Sequence, residues 1–172
     1  MRLIAQARSF VVNIESAPRN VNELISWGKY DTFHPLLNPR LSHITPRKED
    51  TEFCRGPAII YLVSFDYDLD VFSFVYGLRE YRFRPVGLLY FLAIGAFRPE
   101  LQLAYRILCA SSEFRSSGKS EPQFFALDSV KTVGPAKIRK LDLQPTTEVI
   151  LATTPIACCP IPVRRITVPR RI

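Results

Sequence analysis

Asp66 and Asp68 stand two residues apart, directly after the apolar run Ala58 to Phe65. A carboxylate pair at the end of a strand suits Mg²⁺-assisted phosphoryl or glycosyl transfer. The first acid would then be the nucleophile and the second the general acid or base. The set is incomplete, because no lysine with a second aspartate pair follows. A calcium-loop reading fails as well. Val71 occupies the sixth position, where a sharp turn needs Gly, and Gly77 the twelfth, where a bidentate Glu belongs. The plainer chemistry is local. Asp66, Asp68 and Asp70 precede a helical pattern, and carboxylates at a helix start accept N–H bonds that the helix cannot satisfy itself.

The remaining chemistry is sparser. His34 and His43 both fall in a proline-rich loop, where a histidine is usually a surface or hydrogen-bonding residue rather than the base of a triad. Gly118-Lys119-Ser120 ends like a phosphate-binding loop, but Glu113 stands where its first glycine belongs. The four cysteines are Cys54, Cys109, Cys158 and Cys159. Cys158 and Cys159 are adjacent, which disfavours a mutual bridge, and the paired spacing of a zinc site is absent. No metal and no cofactor is expected, and the thiols are expected to be reduced.

The net charge of +7 lies mostly at one end of the chain. Lys131, Lys137, Arg139, Lys140, Arg164, Arg165, Arg170 and Arg171 face only Asp142 and Glu148 after residue 130. Seven of these cations, Lys137, Arg139, Lys140, Arg164, Arg165, Arg170 and Arg171, are candidate anion or nucleic-acid contacts. They alternate with apolar residues as strand faces do, so a solvated face is the competing reading.

The elements that must position these groups can be read from pattern. Strands are expected over 9–14, 58–65, 105–110, 123–127, 138–143, 148–153 and 163–168, where β-branched, aromatic or continuous apolar residues cluster. Asn20 and Glu23 have capping-box spacing before Val21, Leu24 and Ile25, and Gly28 stands at a C-cap position. A helix is therefore expected over 21–27. Leu69, Phe72, Val75 and Tyr76 recur at helical spacing, which predicts a helix over 69–81. The stretch FRPVGLLYFLAIGAFRPELQ, residues 83–102, holds an apolar run between two Arg-Pro pairs. Proline suits a first helical turn and disfavours helix at the residue before it. A helix over 86–97 follows, with a short Glu-Leu-Gln turn after it. The eight aromatics of these segments, from Phe72 to Phe97, are expected to be mostly core with one exposed stacking face. Segments 30–51, 111–120 and 153–162 read as loops.

Fourteen prolines against seven glycines fit a chain with many defined turns. The fold class expected is α+β, with two to three short helices packed on a mostly antiparallel sheet. Residues 1–172 are expected to form a single domain, with the basic segment 163–172 flexible beyond the last strand. The N-terminus lacks the long apolar stretch of a signal peptide. The longest apolar run, Gly87 to Phe97, falls short of the roughly 20 residues that span a bilayer. A soluble, cytoplasmic protein with no membrane partner is expected.

The central block also carries a resemblance. Phe83-Arg84-Pro85, then Phe91-Leu92-Ala93-Ile94-Gly95, then Pro99-Glu100-Leu101-Gln102 is similar to the core of a group of small bacterial proteins common in candidate-phylum genomes. Gly28-Lys29-Tyr30-Asp31 looks like that group's upstream turn, and residues 163–171 like its closing strand. Two features depart from it. Leu88, Leu89 and Tyr90 stand where the group has an acidic residue, and its C-terminal tryptophans are missing, since the only Trp is Trp27. The resemblance implies a fold type and no activity. The layout also resembles a C-type-lectin-like domain, as fold analogy. Together these readings point to a non-enzymatic binding or interaction module, meeting protein or nucleic acid. The alternatives are a basic nucleic-acid-associated protein using the C-terminal cations, and a Mg²⁺-dependent enzyme using Asp66 and Asp68.

Overall fold

Leu88 to Gly95 are all buried, so this stretch of helix has no outward face. An all-apolar helix must be covered on every side, and the architecture follows from that need. The computed structural model describes residues 1–14, 21–37, 56–114, 122–132 and 134–161. Its strands are β1 (Leu3–Ala5), β2 (Phe10–Asn13), β3 (Thr32–Phe33), β4 (Pro57–Phe65), β5 (Phe83–Pro85), β6 (Ile107–Phe114), β7 (Gln123–Lys131), β8 (Lys137–Pro145) and β9 (Ile156–Pro160). Its helices are α1 (Val21–Trp27), α2 (Val71–Glu80), α3 (Leu88–Phe97) and α4 (Pro99–Ala104).

The nine described strands join in one sheet of order β1-β4-β9-β6-β7-β8-β3, with β2 also paired to β4 and β5 to β9. All pairings are antiparallel except β3 with β8 and β6 with β9. Alternate residues of each strand point to opposite faces, and the sheet builds a core on each. Ile60, Leu62, Ile107, Phe125, Leu127, Leu141 and Ala157 pack under α1, α3 and α4. Val63, Phe65, Leu108, Phe124, Ala126 and Ile156 pack under α2. The fold is α+β, and no described helix is long and apolar enough to cross a membrane.

Several expectations meet corrections. The described residues hold four helices, not two to three, because Pro99-Glu100-Leu101-Gln102 opens a six-residue helix with Pro at its first position. The side-chain nitrogen of its buried Gln102 donates to the carbonyls of Asp128 and Lys140 at 2.7 and 2.9 Å, which docks α4 on β7 and β8. Pro85 is not in a helical first turn. It ends β5, and Gly87 is the N-cap of α3. Residues 148–153 form a turn with one isolated bridge, Leu69–Ile150, rather than a strand. The strand lies instead in the expected loop 153–162, where β9 runs between β4 and β6. Its flanking prolines read as turn signals, but Pro155 precedes the strand and Pro160 ends it, where a missing N–H costs no inner ladder bond.

The end of α1 is also corrected. Gly28 closes the last turn, donating to the Leu24 carbonyl at 2.9 Å, while Lys29 takes the left-handed conformation with φ 45°. The glycine is needed for space, because a Cβ there would lie 2.2 Å from the Tyr30 ring. Asn20, the expected cap of α1, and the expected strand 163–168 lie outside the described residues.

Candidate functional site

The segment 66–70 links β4 to α2, and its three aspartates take three separate structural roles. The Asp66 carboxylate accepts the Arg2 N–H at 3.0 Å, and the Asp66 N–H donates to the Arg2 carbonyl at 3.2 Å. That reciprocal pair clamps the start of β1 against the end of β4. Asp68 accepts the Ala152 N–H at 2.8 Å, beside the reciprocal Leu69–Ile150 bonds of 3.0 and 2.7 Å. Asp70 is the N-cap of α2, accepting the Ser73 N–H at 3.0 Å and its hydroxyl at 2.5 Å. Asp66 and Asp68 thus turn to different backbone segments, the N-terminal strand and the 150s turn. Capping falls to Asp70 alone. Among the described residues, no group of three or more His, Cys, Asp or Glu side chains is arranged to hold a metal ion.

These bonds stabilise the ionised acids. The Arg2 N–H holds the Asp66 carboxyl below its ordinary range. The Ser73 hydroxyl, then the Ser73 N–H, does the same for Asp70. A depressed folded pKa contributes stability that is present above the unfolded value of about 3.9 and is lost as pH falls through the folded value. Asp70→Ala is therefore expected to lower the melting temperature at neutral pH. Its difference from wild type should shrink when both are melted below pH 3. A difference independent of pH would assign the loss to something other than the cap.

The basic candidates are dispersed. The Lys137 ammonium donates to the Leu103 carbonyl at 2.6 Å, at the C-terminal end of α4, where cations suit the helix dipole. The Arg139 guanidinium donates to the Lys29 carbonyl, and the Arg139 N–H to the Asp31 carboxylate at 2.7 Å. Lys140 pairs with Asp142 at 3.0 Å. Strand alternation puts Lys140 on the face opposite Lys137 and Arg139, so β8 does not gather all three. Arg164, Arg165, Arg170 and Arg171 lie outside the described residues.

The sequence leads one to expect an exposed aromatic face without saying where, and that face lies on the outside of α2. Val71, Phe74, Gly77 and Leu78 are its buried side. Phe65 and Phe74 meet edge-on there, with ring centroids 4.8 Å apart. At 100° per residue this places Phe72 and Tyr76 directly outward, and they are 84% and 65% exposed. Of the expected stripe Leu69, Phe72, Val75 and Tyr76, Phe72 and Tyr76 thus face outward, while Leu69 and Val75 are partly buried against the core. Comparing the two possible phases would have shown this, because Val71, Phe74 and Leu78 form the more uniformly apolar set.

Phe72 and Tyr76 form a crest between two grooves. One, of about 490 Å³, is lined by Val71, Val75, Arg79, Ala110, Ser111, Pro122, Phe124 and Thr146 besides the crest. The other, of about 520 Å³, adds Met1, Tyr67, Leu69 and Ser73. The Tyr81 hydroxyl donates to the Met1 carbonyl at 2.8 Å and fixes the N-terminus along this rim. A third hollow, of about 530 Å³, lies on the other side of the sheet between Trp27, Phe97, Lys29, Pro99 and Arg139. No protein-family profile, no curated protein and no solved structure matches this chain.

Proposed function

We propose that this chain is a non-enzymatic binding module whose working surface is the aromatic crest of α2 and the grooves beside it. One observation carries the reading: Phe72 is 84% exposed on a helix whose opposite face is fully packed. Large apolar side chains gathered on a surface are the mark of an interaction site. Aromatic residues lose little conformational freedom on burial and anchor interfaces. The reading places the protein in a bacterial cytoplasm. Its support is the resemblance of the 83–102 block to a group of small bacterial proteins.

Selection of displayed peptides on the immobilised protein tests this. The expected result is enrichment of amphipathic peptides with apolar anchors that bind wild type and lose at least about tenfold in affinity on Phe72→Lys. Equal binding to both proteins, or no enrichment, would contradict it.

A second reading, association with nucleic acid, rests on the third hollow. Trp27 and Phe97 meet edge-on, with ring centroids 5.6 Å apart, beside Lys29 and Arg139. Partly exposed aromatics next to cations suit base stacking. It predicts retention on single-stranded DNA that falls steeply with salt and is lost in Trp27→Ala. Absence of retention at low salt ends it.

A further inference from the structure

We infer that the occupant of the α2 crest is a second copy of this chain, docked with its own α2 antiparallel across a two-fold axis. The inference rests on the binding-module reading and names its partner. It comes from how charge is laid out along the helix. The N-terminal end of the face carries three exposed acids, Asp66, Asp68 and Asp70, against the N-terminal ammonium and Arg2 beside Asp66. The C-terminal end carries Arg79 and Arg82, also exposed, with Glu80 as the one acid among them. A surface with an apolar middle and opposite charges at its two ends is complementary to itself when turned end over end. That is the requirement for an isologous interface.

Helix geometry gives the register. Antiparallel packing about an axis midway between residues 74 and 75 brings Arg79 level with the acidic end, residues 66–70, of the second copy. Tyr76 then faces Ser73 of the other copy, and the small serine leaves room for the ring. The crest of one copy enters the groove of the other, as ridges enter grooves between packed helices. The helix dipoles also run opposite, each positive end beside a negative one. Glu80 is the misfit, since this register brings it towards the acidic end of the second copy. Aqueous exposure of Phe72 and Tyr76 ends in the pair without any change to the core of either copy.

Sedimentation velocity over a concentration series up to about 100 µM tests this, with thermal melts as the control for folding. Wild type should pass from monomer to dimer. Phe72→Lys should remain monomeric with an unchanged melt, because that side chain lies outside the core. Arg79→Glu should weaken the dimer by about tenfold and Glu80→Lys should tighten it, both effects fading in high salt. Opposite signs at neighbouring positions are not what a merely structural role would give. A monomer throughout the series overturns the inference, and so does a dimer indifferent to Phe72→Lys and Arg79→Glu. The two readings fail separately. A monomer that still binds selected peptides through Phe72 removes the second copy but keeps the module, whereas a monomer that enriches no peptide removes both.

Discussion

Replacing Phe91 by alanine is expected to cost about 3–5 kcal/mol of folding stability. For a chain of this size that is on the order of 10 °C in melting temperature. Phe91 is fully buried in α3, in the core built from that helix, α1, α4 and one face of the sheet. Truncation loses the transfer free energy of the ring and leaves a cavity that the flanking strands cannot close. Phe72→Ala, on the solvent side of α2, should stay within about 0.5 kcal/mol of wild type. Urea denaturation of the two variants measures the contrast. Similar losses would mean that the crest is part of the scaffold.

The second large effect concerns Gly95. A Cβ added there would lie 2.3 Å from the Tyr30 hydroxyl oxygen and 3.0 Å from a Leu127 methyl carbon. Tyr30 is itself buried, with its hydroxyl directed at the Leu92 carbonyl 3.5 Å away. That burial pushes its phenol well above the ordinary range. Alanine normally gains up to about 1 kcal/mol over glycine inside a helix. Here the collision outweighs the gain. Gly95→Leu should cost about 3 kcal/mol, and Gly95→Ala a smaller amount. Tyr30→Phe removes the nearest atom, so Gly95→Ala should cost less in that background. A double-mutant cycle checks this. Additive losses would show that the hydroxyl is not the obstacle.

Much of the scaffold was legible because its signals were local. The continuous apolar run 58–65 is β4, an inner strand buried over its C-terminal half, and the run between the Arg-Pro pairs is α3. The short helix over 21–27 appears with those bounds. What was illegible depended on partners distant in sequence. β9 is five residues of which two are cysteine and one is proline, and its identity comes from β4 on one side and β6 on the other. Residues 148–153 look alternating, yet only Ile150 turns inward, while Val149 and Leu151 stay exposed.

The site divides in the same way. A run of aspartates before a helix announced a cap, but which one caps depends on where the helix starts. Asp70 does so because Val71 is the first helical residue, which frees Asp66 and Asp68 to hold β1 and the 150s turn. The cations of β8 read as one cluster in sequence, and strand alternation separates them. The aromatics of α2 were visible as composition, while the face each occupies turns on a phase that two competing stripes left open.

A binding module of the kind proposed requires the crest of α2 to be surface built for contact rather than structure. Its most direct test is the Phe72→Ser, Tyr76→Ser double variant, assayed for urea stability and for affinity towards a peptide selected on wild type. The predicted result is stability within about 1 kcal/mol of wild type together with loss of peptide binding. A variant that unfolds well before wild type, or that binds the peptide unchanged, would contradict it.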